Sequence, residues 1–183
     1  MKQVFGKRQA DLFLELSKSA RLRLLKMHYK AGVGHIGGNL SALDSILFLH
    51  HMVMCSDDAF VLSKGHAIGA LYITLWTLGV LSDEDLETFH GEDSKLPGHP
   101  SVTTTPDIKV ATGSLGHGFP IASGMSLARK LKRTPGRVFC LCSDGEWQEG
   151  SNWEALIFSR HHDLSNLVLL VDVNGLQGFG RDW

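Results

Sequence analysis

Asp144 and Asn174 are the residues of this 183-residue chain whose types and setting point most directly to chemistry. Each lies just past an apolar run, Arg137-Val-Phe-Cys-Leu-Cys-Ser143 before the first and Leu167-Val-Leu-Leu-Val-Asp172 before the second, and each is followed by glycine. The 30 residues from one to the other suffice for a single strand–turn–helix–strand crossover, which sets the two on neighbouring parallel strands. Ligands of open α/β sheets bind at that carboxyl edge. A carboxylate and an amide oxygen there are hard donors that suit a divalent cation holding a phosphate group. A plainer reading stands beside this one, because Asp-Gly and Asn-Gly are also common turn dipeptides.

Three histidines sit in turns next to Gly or Pro: Gly34-His35, Gly65-His66 and Gly98-His99-Pro100. Any one alone is an ordinary loop histidine. Together they suggest a polar pocket that donates hydrogen bonds to an oxygen-rich substrate and carries protons near neutral pH. A glycine-rich loop, Thr112-Gly-Ser-Leu-Gly-His-Gly118, precedes Phe119-Pro120, and Pro120 fits the first turn of a helix reaching about Leu131. On its own this loop is a weak phosphate or dinucleotide signal, since it follows no evident strand.

Alternating strands and helices have to position these groups. Phe13, Leu16, Ala20, Leu24 and Met27 form one apolar stripe of a helix over 11–30, closed by Gly32. Gly32 to Asn39 reads as a glycine-rich loop, with Ser41 and Asp44 as a capping box opening the next helix. His50 and His51 fall on the surface or end of that helix. Ala59–Ser63 is a short strand that runs into Lys64-Gly65-His66 and a helix from Ala67 to Leu78. Ser82 and Asp85 cap a further short helix, and a long irregular connection spans 91–112. Ser151 and Glu154 fit a capping box after Asp144. The pattern predicts an α/β fold, a doubly wound, mostly parallel sheet with helices on both faces, in a single domain over 1–183.

Composition excludes several functions. Charged residues make up 20% and the net charge is −1, so no basic surface for nucleic acid is expected, and Arg129-Lys-Leu-Lys-Arg133 reads as a solvated helix end. No apolar run approaches a membrane span. Three cysteines without a signal segment argue against a disulfide framework and for a cytoplasmic setting; Cys140 and Cys142 share one strand face as small core residues.

Five segments resemble the thiamine diphosphate enzymes, and transketolases in particular: Gly34-His35, Ser63-Lys-Gly-His66-Ala, Pro97-Gly-His99-Pro, Thr112-Gly-Ser-Leu-Gly-His-Gly118, and Asp144-Gly-Glu-Trp-Gln-Glu149-Gly-Ser-Asn-Trp-Glu154-Ala with Asn174. They occur in family order and spacing along nearly the whole chain. The nearest resemblance is to the N-terminal, diphosphate-binding subunit of split bacterial transketolases. It implies thiamine diphosphate as cofactor and Mg²⁺ or Ca²⁺ held by Asp144, Asn174 and the carbonyl of Leu176. It implies that the Gly145 amide meets a phosphate and that Gly113 and Leu115 meet the cofactor rings through backbone atoms. His35, His66 and His99 would line the sugar channel and act in catalysis; His66 and Glu149 would also contact the cofactor, and Glu149 with Glu154 would lie towards the subunit interface.

The implied reaction moves a two-carbon ketol unit from a ketose phosphate to an aldose. The implied partners are further copies of the chain and a pyrimidine-binding, C-terminal transketolase subunit, in a homodimer or heterotetramer. Ser143 stands where the family has glycine, and His117 where many members have glutamine. The family's diphosphate-binding domain also continues past the length seen here, so the resemblance implies a domain incomplete at its C-terminal end that does not catalyse alone. Two alternatives stand beside it: a non-catalytic partner-binding domain, and a deoxyxylulose phosphate synthase-like or sugar-biosynthesis enzyme.

Overall fold

The computed structural model describes residues 6–177 and 180–181. Within them the chain divides into two compact units. One joins the described residues up to Val53 with Gly69–Leu96; the other joins Met54–Ile68 with the described residues from Pro97 onward.

The first unit is helical. Helix α1 (Lys7–Ala31) buries Ala20, Leu24 and Met27 of the expected stripe, along with Ser17 and His28, while Phe13 and Leu16 are half-buried. It ends where Gly32 turns left-handed (φ 63°) and its N–H bonds back to the His28 carbonyl at 2.9 Å. Helix α2 (Ile36–Phe48) starts five residues before the expected Ser41, so the glycines at 37 and 38 are helical. The physical reason is Asn39. Its amide donates to the His35 carbonyl at 2.9 Å and its Oδ1 accepts the Ala70 N–H at 2.8 Å, which fixes a turn that glycines alone would leave loose. Asp44 is therefore no cap; it accepts from Ser17 Oγ at 2.6 Å and pairs with Arg21. A π-helical turn, Leu49–Val53, follows, in which His50 bonds the Ile46 carbonyl and His51 meets Thr77 Oγ1, so both histidines are engaged in structure. Helix α3 (Ile68–Thr77) and the short α4 (Asp83–Glu87) complete the unit. The Ser82–Asp85 capping box is present in both directions, and Arg23 of α1 bridges Asp83 and Glu87.

The second unit holds the sheet. Strands β1 (Ala59–Leu62), β2 (Val138–Ser143) and β3 (Leu167–Asp172) lie in the order β1-β2-β3, all parallel, with Leu62 beside Leu141 and Ser143 beside Asp172. Every residue of β1 and β2 is buried, as apolar runs in a parallel sheet should be. Helix α5 (Gly118–Lys132) sets Phe119 and Ala122 against Val61, Val138, Cys140 and Cys142, so the cysteine pair is core, as expected. Helix α6 (Gly150–His161) makes the crossover to β3 and contributes Ala155. It begins at Gly150 with Glu149 as its N-cap, so Ser151 and Glu154 form no capping box; Ser151 Oγ donates instead to the Gly116 carbonyl at 2.6 Å. Two-residue strands β4 (Leu176–Gln177) and β5 (Gly180–Arg181) pair antiparallel beyond β3.

Asp58 locks the amino ends of β1 and β2 together. Its carboxylate takes the Arg137 N–H at 2.6 Å and the Arg137 guanidinium at 2.7 Å. Burial alone would raise this carboxyl, but the Arg137 bonds and the Cys55 amide outweigh it and bring it from 3.8 down to about 2. The folded value lies below the unfolded one, so the stabilisation is complete above the unfolded value and drains away as pH falls towards 2. Arg137 is partly exposed and screened by solvent, so the contribution is at most about 2 kcal/mol. Urea unfolding at stepped pH should show this loss in the wild type and a flatter curve in Asp58→Asn; parallel curves would rule the pair out as its source.

Candidate functional site

The carboxyl ends of the three strands converge in the second unit. Asp144 follows β2 directly and is 4% exposed. Its N–H donates to the Asp172 carbonyl at 3.1 Å, continuing the β2–β3 ladder by one bond. Its Oδ2 accepts the N–H groups of Asn174 and Gly175 at 2.8 and 2.7 Å, and its Oδ1 accepts the Gly145 N–H at 3.1 Å. The Asn174 side-chain oxygen in turn accepts the Leu176 N–H at 2.9 Å, a local turn that asparagine favours. Asp144, Gly145, Asn174 and Leu176 are thus one connected group. Three backbone N–H groups fix the direction of this buried carboxylate. Among the described residues no three His, Cys, Asp or Glu side chains are clustered as for a metal, and the predicted set of one carboxylate, one amide and one carbonyl is not of that composition.

The glycine loop lies against the end of β1. Thr112 Oγ1 donates to the Leu62 carbonyl at 2.6 Å. Gly65, in the 3₁₀ turn Gly65–Ala67, has no room for a side chain: a Cβ there would stand 2.8 Å from the Gly113 nitrogen. Gly113 has φ 140°, open to glycine, and a Cβ on it would meet the His99 ring at 2.8 Å. His99 therefore lies over Gly113, and His66 follows the residue that packs on Gly113. Leu115 is partly exposed, and the Glu149 side chain runs beside Gly116. His66, His99, Gly113, Leu115, Glu149, Asp144, Gly145, Asn174 and Leu176 all belong to this unit. His35 belongs to the other, where it is the exposed N-cap of α2 in a left-handed conformation (φ 62°).

The Gly65–Gly113 contact carries an expected result. Gly65→Ala must push backbone against backbone, which costs about 1–3 kcal/mol as overpacking does. Thermal melting should register the loss, and an unchanged melting temperature would mean that the two segments part freely.

Residue-by-residue reading of the sequence missed three groups that hold the site together. Lys64 is completely buried and its Nζ lies 2.5 Å from Asp172 Oδ2. Glu146, equally buried, accepts from Ser63 and Ser143 and from the Gly116 amide. Lys64 and Asp172 each end an apolar strand with a charge, a signal that was present; nothing in the spacing paired them.

The family model described as "Transketolase, thiamine diphosphate binding domain" matches residues 16–181. The chain belongs to the transketolase family. Among curated relatives it is 37% identical to an apulose-4-phosphate transketolase subunit of Actinobacillus succinogenes, aligned over 92% of this chain and 66% of that one. It is 41% identical to the protein of the same name in Phocaeicola vulgatus, over 90% and 62%. A 6-deoxy-6-sulfo-D-fructose transketolase subunit from a Clostridium species is 36% identical over 94% and 66%. The chain thus spans 62–66% of the length of these transketolase subunits. The crystal structure of Campylobacter jejuni transketolase superposes with a TM-score of 0.86 at 32% identity, covering 93% of this chain and 29% of that one. Transketolase from Leishmania mexicana gives 0.83 at 26%, covering 90% and 28%. The transketolase fold, an α/β arrangement with a parallel sheet, and a thiamine diphosphate-binding type of domain are therefore what this chain has. Among the described residues no helix is long and apolar enough to cross a membrane.

Proposed function

We propose that the chain is the thiamine diphosphate- and divalent metal-binding subunit of a transketolase-type transferase that moves a two-carbon ketol unit from a ketose phosphate to an aldose. The observation that carries this reading is the Asp144 carboxylate, buried at the end of β2 and held by the Asn174 and Gly175 amides beyond β3. The donor set fits the group: one anionic and two neutral oxygens suit Mg²⁺ or Ca²⁺, and the cation offsets diphosphate charge that a chain of net charge −1 does not. Asp144, Asn174 and the Leu176 carbonyl would hold the metal, and the Gly145 N–H would meet a phosphate oxygen. Gly113 and Leu115 would bear on the cofactor rings through backbone atoms. The bound cofactor supplies the carbanion and electron sink for the transfer.

The side chains of the chain itself orient the sugar and move protons. His66 and His99 flank the glycine loop and are proposed to donate hydrogen bonds to the donor's oxygens and to relay protons near neutral pH. His66 would also touch the cofactor. His35, which the resemblance groups with them, is proposed for the same work. Glu149 and Glu154 are exposed and would meet a neighbouring protomer. Residues 1–183 would act as one diphosphate-binding module in a cytoplasmic enzyme, with a pyrimidine-binding partner chain, in a homodimer or heterotetramer. That the apulose-4-phosphate relatives are each named as one subunit of a transketolase supports a divided enzyme.

The test is ketol transfer from ketose phosphates to aldoses, measured with the chain alone and with candidate pyrimidine-domain chains. Transfer that needs both chains is expected. Full activity of the chain alone would overturn the divided-site reading, and failure to bind thiamine diphosphate with any partner would overturn the function.

A further inference from the structure

We propose that Glu146 is a positioning residue that sets the glycine loop at the height from which it meets the cofactor rings. This rests on the thiamine diphosphate reading above and adds a residue that no motif singles out.

Glu146 is completely buried. Its carboxylate joins three segments that are remote in sequence. Oε1 accepts from Ser63 Oγ, at the end of β1, at 2.5 Å and from the Gly116 N–H, in the glycine loop, at 3.2 Å. Oε2 accepts from the Ser143 N–H at 2.9 Å and from its hydroxyl at 3.4 Å, at the end of β2. The Glu146 backbone carbonyl takes the Asn152 amide at 2.8 Å and so ties in the start of α6. All four groups facing the carboxylate donate, and two of them are backbone N–H groups that cannot reverse. Gly116 follows Leu115 directly. The height of the stretch Gly113–Leu115 over the strand ends is thereby set by a bond from the next residue to Glu146. Ser151 Oγ, donating to the Gly116 carbonyl at 2.6 Å, holds the other side of the same residue.

The amide of Glu146→Gln is nearly isosteric, but either way round it turns an N–H₂ group towards a backbone N–H. The closer backbone donor, Ser143 N–H at 2.9 Å against Gly116 N–H at 3.2 Å, keeps the oxygen, and the Ser63 hydroxyl can reverse to accept from the amide, so the N–H₂ group opposes Gly116. The loop then loses its anchor, while the metal-side group around Asp144 keeps its own bonds.

The experiment compares two probes on the 183-residue chain, assembled with its partner chain where binding requires it. Calorimetry measures thiamine diphosphate with Mg²⁺, which needs both the loop and the strand-end group, and inorganic diphosphate with Mg²⁺, which needs the strand-end group alone. Glu146→Gln should weaken thiamine diphosphate about tenfold or more, the size of one lost charged hydrogen bond, and leave diphosphate within about twofold. Amide hydrogen exchange without any ligand should rise at Gly116 and stay unchanged in β1 and β3. Ser63→Ala, which removes one of the four donors, should act in the same direction and more weakly; it decides the matter if Glu146→Gln does not fold. Equal weakening of both probes, or no change in either, overturns the positioning role. A wild-type chain that binds diphosphate but not thiamine diphosphate overturns the cofactor reading, and this inference with it.

Discussion

Lys64→Met should lower the unfolding free energy by about 3–5 kcal/mol, the range for removing one partner of a buried ion pair. The Lys64 side chain is 1% exposed and that of Asp172 is 13% exposed, with 2.5 Å between Nζ and Oδ2. Methionine keeps the volume and takes the ammonium away from a carboxylate largely withdrawn from water. Asp172 also supplies the carbonyl that receives the Asp144 N–H, so the ends of β2 and β3 loosen together. The double variant Lys64→Met/Asp172→Leu should recover most of the loss, because an apolar pair of similar size has no charge to desolvate. Urea unfolding of the four members of the cycle supplies the test. A single-variant cost below about 1 kcal/mol would place this pair with surface ion pairs, despite its burial.

Asp144→Ala should weaken binding of thiamine diphosphate with Mg²⁺ by about 100-fold or more, beyond the range for losing a group that merely supports a metal ligand. Two losses combine. The only anionic member of the proposed ligand set disappears, and the Asn174, Gly175 and Gly145 amides lose their common acceptor. Asp144→Asn separates them: it keeps one side-chain oxygen for the amides but not the charge, so it should fold closer to wild type and still bind weakly. Calorimetry beside circular dichroism distinguishes lost binding from lost structure. Undiminished affinity in the folded alanine variant would remove Asp144 from the cofactor site.

The strand ends were legible because their signals are local. An apolar run ending in Asp144-Gly145, and another ending two residues before Asn174, need only strand propensity and the usual crossover, and β2 and β3 are adjacent and parallel as expected. The Gly32 cap, the Ser82–Asp85 box and the cysteine pair in the core were legible for the same reason. The start of α2 was not. Gly37 and Gly38 argue for a loop by propensity, and the deciding bond, from Ala70 to Asn39, comes from another helix. Ser151 was misread because a helix-start pattern cannot show that the hydroxyl has a better acceptor in the Gly116 carbonyl. Glu146 and Lys64 escaped because their meaning lies wholly in partners far along the chain.

That remoteness governs how the second unit forms. Its defining bonds join residues separated by 79 (Asp58 to Arg137), 83 (Ser63 to Glu146) and 108 positions (Lys64 to Asp172). None can form until β1 has found β2 across a long stretch of intervening chain, and the entropy of closing that loop is lost before any contact repays it. Local helices are expected to form early and the strand-end site late in folding. Its buried charges then meet their partners only after the sheet has closed, so substitutions at Lys64 and Glu146 should act mainly by hastening unfolding rather than by slowing the first collapse.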